Sequence, residues 1–477
     1  MAMWGSVERM AMVVVLSAPL ASVPWRSAAL AETTFTEEAV ARGINYVVTQ
    51  GAFGGPGQYG CGLALCDLDG DGDEDVICTG GDDPTIALFE NQGNGHFTDR
   101  STSAGFGSPL KPSGIAAGDY DADGDLDIIL TRWLGPPILF RNEGRMHFTN
   151  VTAAAGIVSA GLAAGAGASW ADFDGDGWID LSIANRSGNG ATAKNQLFRN
   201  LGNGTFVDVA PALGVNDGFA SFQGSWCDID RDGDLDLYVA NDKGSTGISW
   251  NHLYRNQGNG TFAEDPASGA QISMDAMGVC FGDLTGDLFP EIFLPNVPSG
   301  NALLKSNGGI GFTNVAGAAG VGGFATCWGG IAFDPDNDGD TDLYFTTSSS
   351  GPDFLFENAG RWPLLNRTAT WGLANLGEAY CHAAGDIDGD GDMDLYFGDY
   401  QQPDPSTRPF DVNDRLLLNN GNGYFTDVSA ARMSVVMLES SFAMKVAMCC
   451  SLLIIFINPN QSYTKRINNQ QLYLIQY

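Results

Sequence analysis

One nine-residue acidic pattern recurs seven times along this chain at an almost constant interval, and this recurrence limits the fold more than any other feature. The first copy is Asp67-Leu68-Asp69-Gly70-Asp71-Gly72-Asp73-Glu74-Asp75, and the others begin at Asp119, Asp172, Asp228, Asp283, Asp334 and Asp386. Successive copies start 52, 53, 56, 55, 51 and 52 residues apart. A period near 50 belongs to a propeller blade, whereas solenoid repeats run from about 20 to 40 residues. The 477 residues would otherwise suggest two or three domains; the repetition assigns most of them to one.

Every period has the same internal order. A short apolar run ends at the first aspartate, as in Gly62–Cys66, Gly167–Ala171 and Gly278–Gly282. The acidic loop follows, then a β-branched and aromatic run such as Asp127–Leu130, Asp236–Val239, Asp342–Phe345 or Asp394–Phe397. A third run closes on asparagine: Leu139–Asn142, Leu197–Asn200, Leu253–Asn256 and Leu355–Asn358. Asn-Gly turns lead into a fourth run, as in Gly93–Phe97, Gly202–Phe206, Gly258–Phe262 and Gly421–Phe425. Asn-Gly between apolar runs is the strongest short hairpin signal, because both central residues of a type I′ turn need φ > 0. The chain is therefore expected to be all-β: a β-propeller of four-stranded antiparallel blades, seven of them complete. A β-sandwich would not repeat one four-strand unit at constant spacing.

The ends depart from the repeat. Residues 1–31 read as a signal peptide: Arg9, an apolar run Met10–Leu20, and Ala29-Leu30-Ala31 before Glu32. The run is too short to span a membrane. The propeller is expected over 32–430. Phe35–Ile44 resembles the fourth-strand segment Phe148–Ile157, and Ser441–Ala447 resembles a further first strand, which leaves room for an eighth blade in an untruncated parent. From Met433 to Tyr477 there is neither glycine nor aspartate, so 431–477 reads as a partial next repeat running into an aberrant, disordered tail. The nine cysteines form no CxxC pair, which argues against zinc. Cys66, Cys227 and Cys280 fall in apolar runs and are expected to be buried thiols.

The formal charge is −34, which excludes nucleic acid as a partner on electrostatic grounds. The acid is concentrated: 33 of the 57 acidic residues lie in the seven nine-residue patterns, unlike a generally solvated acidic surface. Six patterns carry aspartate at positions 1, 3, 5 and 9 and glycine at position 6: Asp67, Asp69, Asp71 and Asp75; Asp119, Asp121, Asp123 and Asp127; Asp172, Asp174, Asp176 and Asp180; Asp228, Asp230, Asp232 and Asp236; Asp334, Asp336, Asp338 and Asp342; Asp386, Asp388, Asp390 and Asp394. Alternate side chains of a tightly curled loop converge, and glycine permits the bend. Crowded carboxylates repel one another, and a hard divalent cation with all-oxygen coordination relieves the repulsion. Calcium accepts six to eight oxygens in flexible geometry and fits better than magnesium; about six Ca²⁺ ions are expected. An EF-hand shares the first half of the pattern but needs glutamate at position 12 between two helices. Position 12 here is Cys78, Leu130, Ile183, Val239, Phe345 or Phe397. The fifth pattern has Asp283, Thr285, Asp287, Leu288 and Glu291 at positions 1, 3, 5, 6 and 9, so its site is expected to be weak or empty.

These residues resemble the FG-GAP/VCBS repeat family, the calcium-bearing propeller repeats of integrin α subunits. The combination of Leu-Phe-Arg-Asn and Gly-Asn-Gly-x-Phe is closest to the group containing cartilage acidic protein and its bacterial relatives. The resemblance covers about Phe35 to Val428 and implies calcium loops on one face, with partners bound elsewhere. It implies a secreted or extracellular binding or adhesion module, periplasmic or cell-surface if bacterial, with an extracellular protein or glycan as partner. The competing reading is a carbohydrate-active enzyme, a polysaccharide lyase-like propeller. The only histidines are His96, His147, His252 and His382. No nucleophile elbow, phosphate loop or HExxH is present, and no catalytic residue or organic cofactor is assigned. His382, in a first strand, is the one histidine placed to face a central channel.

Overall fold

The computed structural model describes residues 42–44, 62–79, 86–107, 110, 112–132, 135–159, 165–186, 193–243, 249–298, 300–347, 353–373, 379–386, 390–399 and 415–428. The signal-peptide segment, most of Phe35–Ile44, and 431–477 with its eighth first strand lie outside these residues.

Seven four-stranded antiparallel sheets follow one another in sequence, each a simple meander, forming a seven-bladed β-propeller. Blade 1 comprises β1 (Leu63–Cys66), β2 (Asp75–Thr79), β3 (Ile86–Asn91) and β4 (Phe97–Asp99). Blade 2 comprises β5 (Pro112–Gly118), β6 (Asp127–Arg132), β7 (Ile138–Asn142) and β8 (Phe148–Asn150); blade 3, β9 (Gly165–Ala171), β10 (Asp180–Asn185), β11 (Gln196–Asn200) and β12 (Phe206–Asp208). Blade 4 comprises β13 (Ala220–Cys227), β14 (Asp236–Asp242), β15 (His252–Asn256) and β16 (Phe262–Glu264); blade 5, β17 (Cys280–Gly282), β18 (Glu291–Leu294), β19 (Ala302–Ser306) and β20 (Phe312–Asn314). Blade 6 comprises β21 (Cys327–Phe333), β22 (Asp342–Thr347), β23 (Phe354–Glu357) and β24 (Leu365–Asn366); blade 7, β25 (Ala379–Gly385), β26 (Asp394–Asp399), β27 (Arg415–Asn419) and β28 (Phe425–Asp427). Two four-residue helices, α1 (Ala210–Leu213) and α2 (Ala316–Ala319), follow the fourth strands of blades 3 and 5. Among the described residues, no helix is long and apolar enough to cross a membrane.

The second strands explain why the sequence reads as continuous apolar runs. Asp75–Thr79 and Asp180–Asn185 are buried at every residue, because each sheet has a neighbour on both faces. The core therefore lies between blades: Ile77 and Leu88 of blade 1 pack with Ile128, Phe140 and Phe148 of blade 2. Equivalent clusters join blades 2 and 3, and blades 6 and 7. A fully buried Phe140 contributes about 1.5–3 kcal/mol. Cys66, Cys227, Cys280 and Cys327 are largely inside, and burial pushes each thiol up to about 12, as expected of inert apolar thiols.

The turn into the fourth strand differs from the type I′ expectation. In blade 1, Gly93 and Gly95 both take positive φ (66° and 77°) while Asn94 does not. The Gln92 amide donates to the His96 carbonyl at 2.9 Å, closing a three-residue loop. Asn94 contributes its side chain, Oδ1 accepting the His96 amide at 3.0 Å. The asparagine is thus selected for its local hydrogen bond and the flanking glycines for their backbone.

Candidate metal centre

All seven acidic patterns form the hairpin loops between first and second strands, and position 9 is the first residue of the second strand in every blade. Because each blade is a meander, these loops share one end of the sheets with the turns into the fourth strands.

Position 1 winds the loop around its own carboxylate. Asp67 Oδ1 accepts the Gly70 and Asp71 amides at 2.8 and 3.1 Å, and Oδ2 accepts the Gly72 amide at 2.9 Å. Asp172 repeats this with Asp176 and Gly177 at 3.1 and 2.9 Å. Position 5 then takes the amide of position 7, as Asp71 Oδ1 does from Asp73 at 2.9 Å. The winding needs two positive-φ residues, one more than the glycine pattern suggests. Position 4 sits at 57–77° and is Gly70, Ala122, Gly175, Arg231, Gly286 or Asn337. Position 6 sits at 92–99° in Gly72, Gly124, Gly177, Gly233, Gly339 and Gly391. The first range is the left-handed well that other residues enter at modest cost; the second lies beyond it, where only glycine is comfortable.

Position 9 is the buried anchor of the loop. Asp75 is fully buried; its Oδ2 accepts the Leu68 amide and its Oδ1 the Asn91 amide, both at 2.8 Å. Asp127, Asp180 and Asp236 make the same pair of contacts. Burial outweighs these bonds: it raises Asp75, Asp180 and Asp236 to about 7, and Asp127 and Asp342 to about 8. Asp342 is a special case. Position 2 in its loop is Pro335, which has no N–H, and Asp342 Oδ2 is buried without a partner.

Position 3 has an oxygen that no donor in the protein satisfies. Oδ1 of Asp69, Asp121, Asp174, Asp230 and Asp336 is buried and unbonded in five separate blades. In blades 3 and 4 an arginine holds the other oxygen: Arg199 Nε reaches Asp174 Oδ2 at 2.7 Å, and Arg255 reaches Asp230 Oδ2 at 3.0 Å. The residues that carry these Oδ1 atoms belong to groups in which one carboxylate oxygen of each residue lies within 4.8 Å of the others: Asp67, Asp69 and Asp71; Asp119, Asp121 and Asp127; Asp172, Asp174 and Asp180; Asp228, Asp230 and Asp232; Asp334, Asp336 and Asp338. Unbonded buried carboxylate oxygens repeated at one position are costly, and this donor set fits a hard cation.

The fifth loop folds alike but loses the convergence. Asp283 still accepts the amides of Gly286, Asp287 and Leu288. Thr285 stands where the orphan would be, its hydroxyl 3.4 Å from Glu291 Oε1. Glu291 Oε2 accepts the Leu284 amide at 2.7 Å, and Leu288 holds the glycine position at φ 71°, exposed. In the seventh loop Asp386 accepts the Gly391 amide, and Asp394 the Asn419 amide; Asp388 lies outside the described residues.

The asparagine at the end of the third strand in blades 2, 3, 4, 6 and 7 has a role that the sequence reading did not assign. Its amide is held by position 9 of its own blade, while its side chain crosses to the preceding blade. Asn142 Nδ2 donates to the Leu68 carbonyl at 2.8 Å, Asn200 to Tyr120 at 2.7 Å, Asn256 to Phe173 at 2.6 Å, Asn358 to Leu284 at 2.9 Å and Asn419 to Pro335 at 2.6 Å. Each acceptor is position 2 of the neighbouring loop. Only the recurrence of Asn at one register position signals this in the sequence.

The four histidines belong to four different blades. His96 and His147 are exposed on turns. His252 Nδ1 lies 2.9 Å from Glu264, its ring stacked between Phe219 and Tyr254. His382 meets Tyr344 edge-on at 5.5 Å, and burial lowers it to about 4, which makes it a weak base.

The FG-GAP-like repeat model matches residues 67–130, 172–239, 228–294 and 334–397. Cartilage acidic protein 1 of Mus musculus is 28% identical over 211 residues, 42% of this chain and 32% of that protein. The Xenopus tropicalis protein of that name is 29% identical over 224 residues, 44% of this chain and 34% of that protein. The chain thus spans about a third of the length of these relatives. Among solved structures, the BP39L lectin from Burkholderia pseudomallei aligns with TM-score 0.48 at 13% identity, covering 78% of this chain and 99% of that one. An Agrocybe aegerita lectin that recognises terminal N-acetylglucosamine aligns with TM-score 0.40 at 17% identity, covering 67% and 81%.

Proposed function

Given that the chain belongs to the FG-GAP-like repeat family, we propose that it is a secreted, calcium-binding β-propeller acting as an extracellular binding or adhesion module for a protein or glycan. The observation that carries the calcium reading is the set of five buried, unbonded position 3 oxygens inside convergent carboxylate groups. When bound, calcium supplies positive charge and oxygen coordination that offset carboxylate repulsion. The chain's own residues do the rest. Position 1 winds the loop, position 3 offers the free oxygen, and position 9 ties the loop to the second and third strands. Positions 1, 3, 5 and 9 of loops 1, 2, 3, 4, 6 and 7 are the proposed ligands, about six sites in all; Asp283, Asp287 and Glu291 form a weak or empty seventh. Partner recognition falls to the opposite ends of the blades, and no catalytic step is assigned.

Calcium titration by calorimetry, with thermal melting in calcium and in chelator, tests the reading. About six ions bound and a melting temperature that falls in chelator are expected, since a ligand selective for the folded state stabilises it by mass action. Absence of binding heat together with identical melting in the two conditions would refute it.

A further inference from the structure

We infer that the cation loops of blades 1, 2, 3 and 6 are positioned in trans by the next blade: the asparagine at the end of a third strand sets the cation affinity of the loop that precedes it in the ring. The inference rests on the calcium reading above. Position 2 lies between the two residues, 1 and 3, whose carboxylates converge, so fixing its backbone fixes their separation. In loops 1, 2 and 3 its amide is held from within the loop by position 9 and its carbonyl by the neighbouring asparagine; in loop 6 Pro335 has no amide, and its carbonyl accepts both Asn419 and the Gly423 amide. In blade 3, Phe173 N–H reaches Asp180 Oδ2 at 3.1 Å, and Phe173 C=O receives Asn256 Nδ2 at 2.6 Å. Without the second bond, the repulsion between Asp172 and Asp174 works against one anchor alone. Preorganisation of this kind raises affinity by lowering the ordering cost of binding.

The chain contains its own exception. In blade 5 the third strand ends in Ser306, whose hydroxyl accepts the Gly309 amide at 3.0 Å instead of bridging to Ile229 of loop 4. The amide half of the device persists, Ser306 N–H donating to Glu291 at 3.2 Å. Loop 4 keeps all four aspartates and its orphaned Asp230 Oδ1, yet lacks the trans bridge. The bridges therefore hold loops 1, 2 and 3, and again loops 5 and 6. Loop 4 is expected to bind more weakly than loop 3 although it has the same aspartates at positions 1, 3, 5 and 9 and one more, Asp234, at position 7.

The test uses the full chain and terbium(III), with tryptophan excitation. Trp178, at position 7 of loop 3, provides a local reporter, and the signal lost in Trp178→Phe isolates it. Asn256→Ser is expected to raise the terbium midpoint of this component on the order of tenfold, the size of one hydrogen bond. Ser306→Asn is expected to tighten one calcium site about tenfold in calorimetry, a gain abolished by adding Asp230→Asn. Ser306→Asn adds a group, so it decides the question even if Asn256→Ser fails to fold. Unchanged affinities in both variants, with calcium binding intact in the unaltered protein, overturn the trans positioning alone. No metal binding by the unaltered protein overturns the calcium reading and this inference with it.

Discussion

Replacing Pro335 with leucine should stabilise the cation-free protein, although the position is buried and proline ordinarily favours the folded state. In loops 1 to 5 the position 2 amide donates to the position 9 carboxylate at 2.7–3.2 Å. Loop 6 cannot make this bond, and Asp342 Oδ2 is left buried and unbonded. Restoring a hydrogen bond to a charged acceptor is worth about 1.5–3 kcal/mol. Losing proline's restriction of the unfolded chain costs about 0.4–1 kcal/mol. The net gain is about 1–2 kcal/mol, or roughly 1–2 °C in Tm for a propeller of this size. Leucine already fills this position in loops 1 and 5, where Leu68 and Leu284 are 1% and 3% exposed. The Pro335 carbonyl contacts to Asn419 and Gly423 survive the change. The assay is thermal melting in chelator at about pH 9, above the value near 8 to which burial raises Asp342, so that the carboxylate is ionised. Pro335→Ala controls for overpacking. If both variants melt at or below the parent temperature, the orphaned oxygen is not the liability argued here.

Three further outcomes follow from the same loops. Asp336→Asn removes a carboxylate that burial and its neighbours Asp338 and Asp334 raise to about 6; the variant should melt higher than the parent in chelator by about 1 kcal/mol equivalent and lose one calcium in calorimetry. The pH dependence should invert with calcium. Asp75, Asp127, Asp180, Asp236 and Asp342 stand at about 7 to 8 folded against about 4 unfolded, so between these values the folded state holds more protons, and cation-free stability falls as pH rises from about 4 to 8. In saturating calcium, acid instead competes with the metal and stability falls on acidification; melts from pH 5 to 8 in both conditions check the two signs. Gly233→Ala meets no atom within 4 Å but must hold φ 99°, so it should cost about 1–2 kcal/mol in urea unfolding with m unchanged.

The sequence by itself determined the architecture and where the chemistry lies. A four-run unit recurring near every 53 residues admits one radial packing, and 33 acidic residues confined to seven loops announce a shared electrostatic task. Local pattern suffices here because strand, turn and acidic bend each depend on neighbours within about ten residues. Tertiary structure decided how the carboxylates divide their work. Position 9 reads in the sequence as one more aspartate, but it enters the core as a backbone anchor because β2, β6, β10 and their counterparts are buried on both faces. Position 3 keeps an unbonded oxygen while nearby amides go to positions 1, 5 and 9. The crossing from Asn256 to Phe173 joins residues 83 apart, and no local rule reaches that far. It exists because adjacent blades stack closely enough for one side-chain amide to span them.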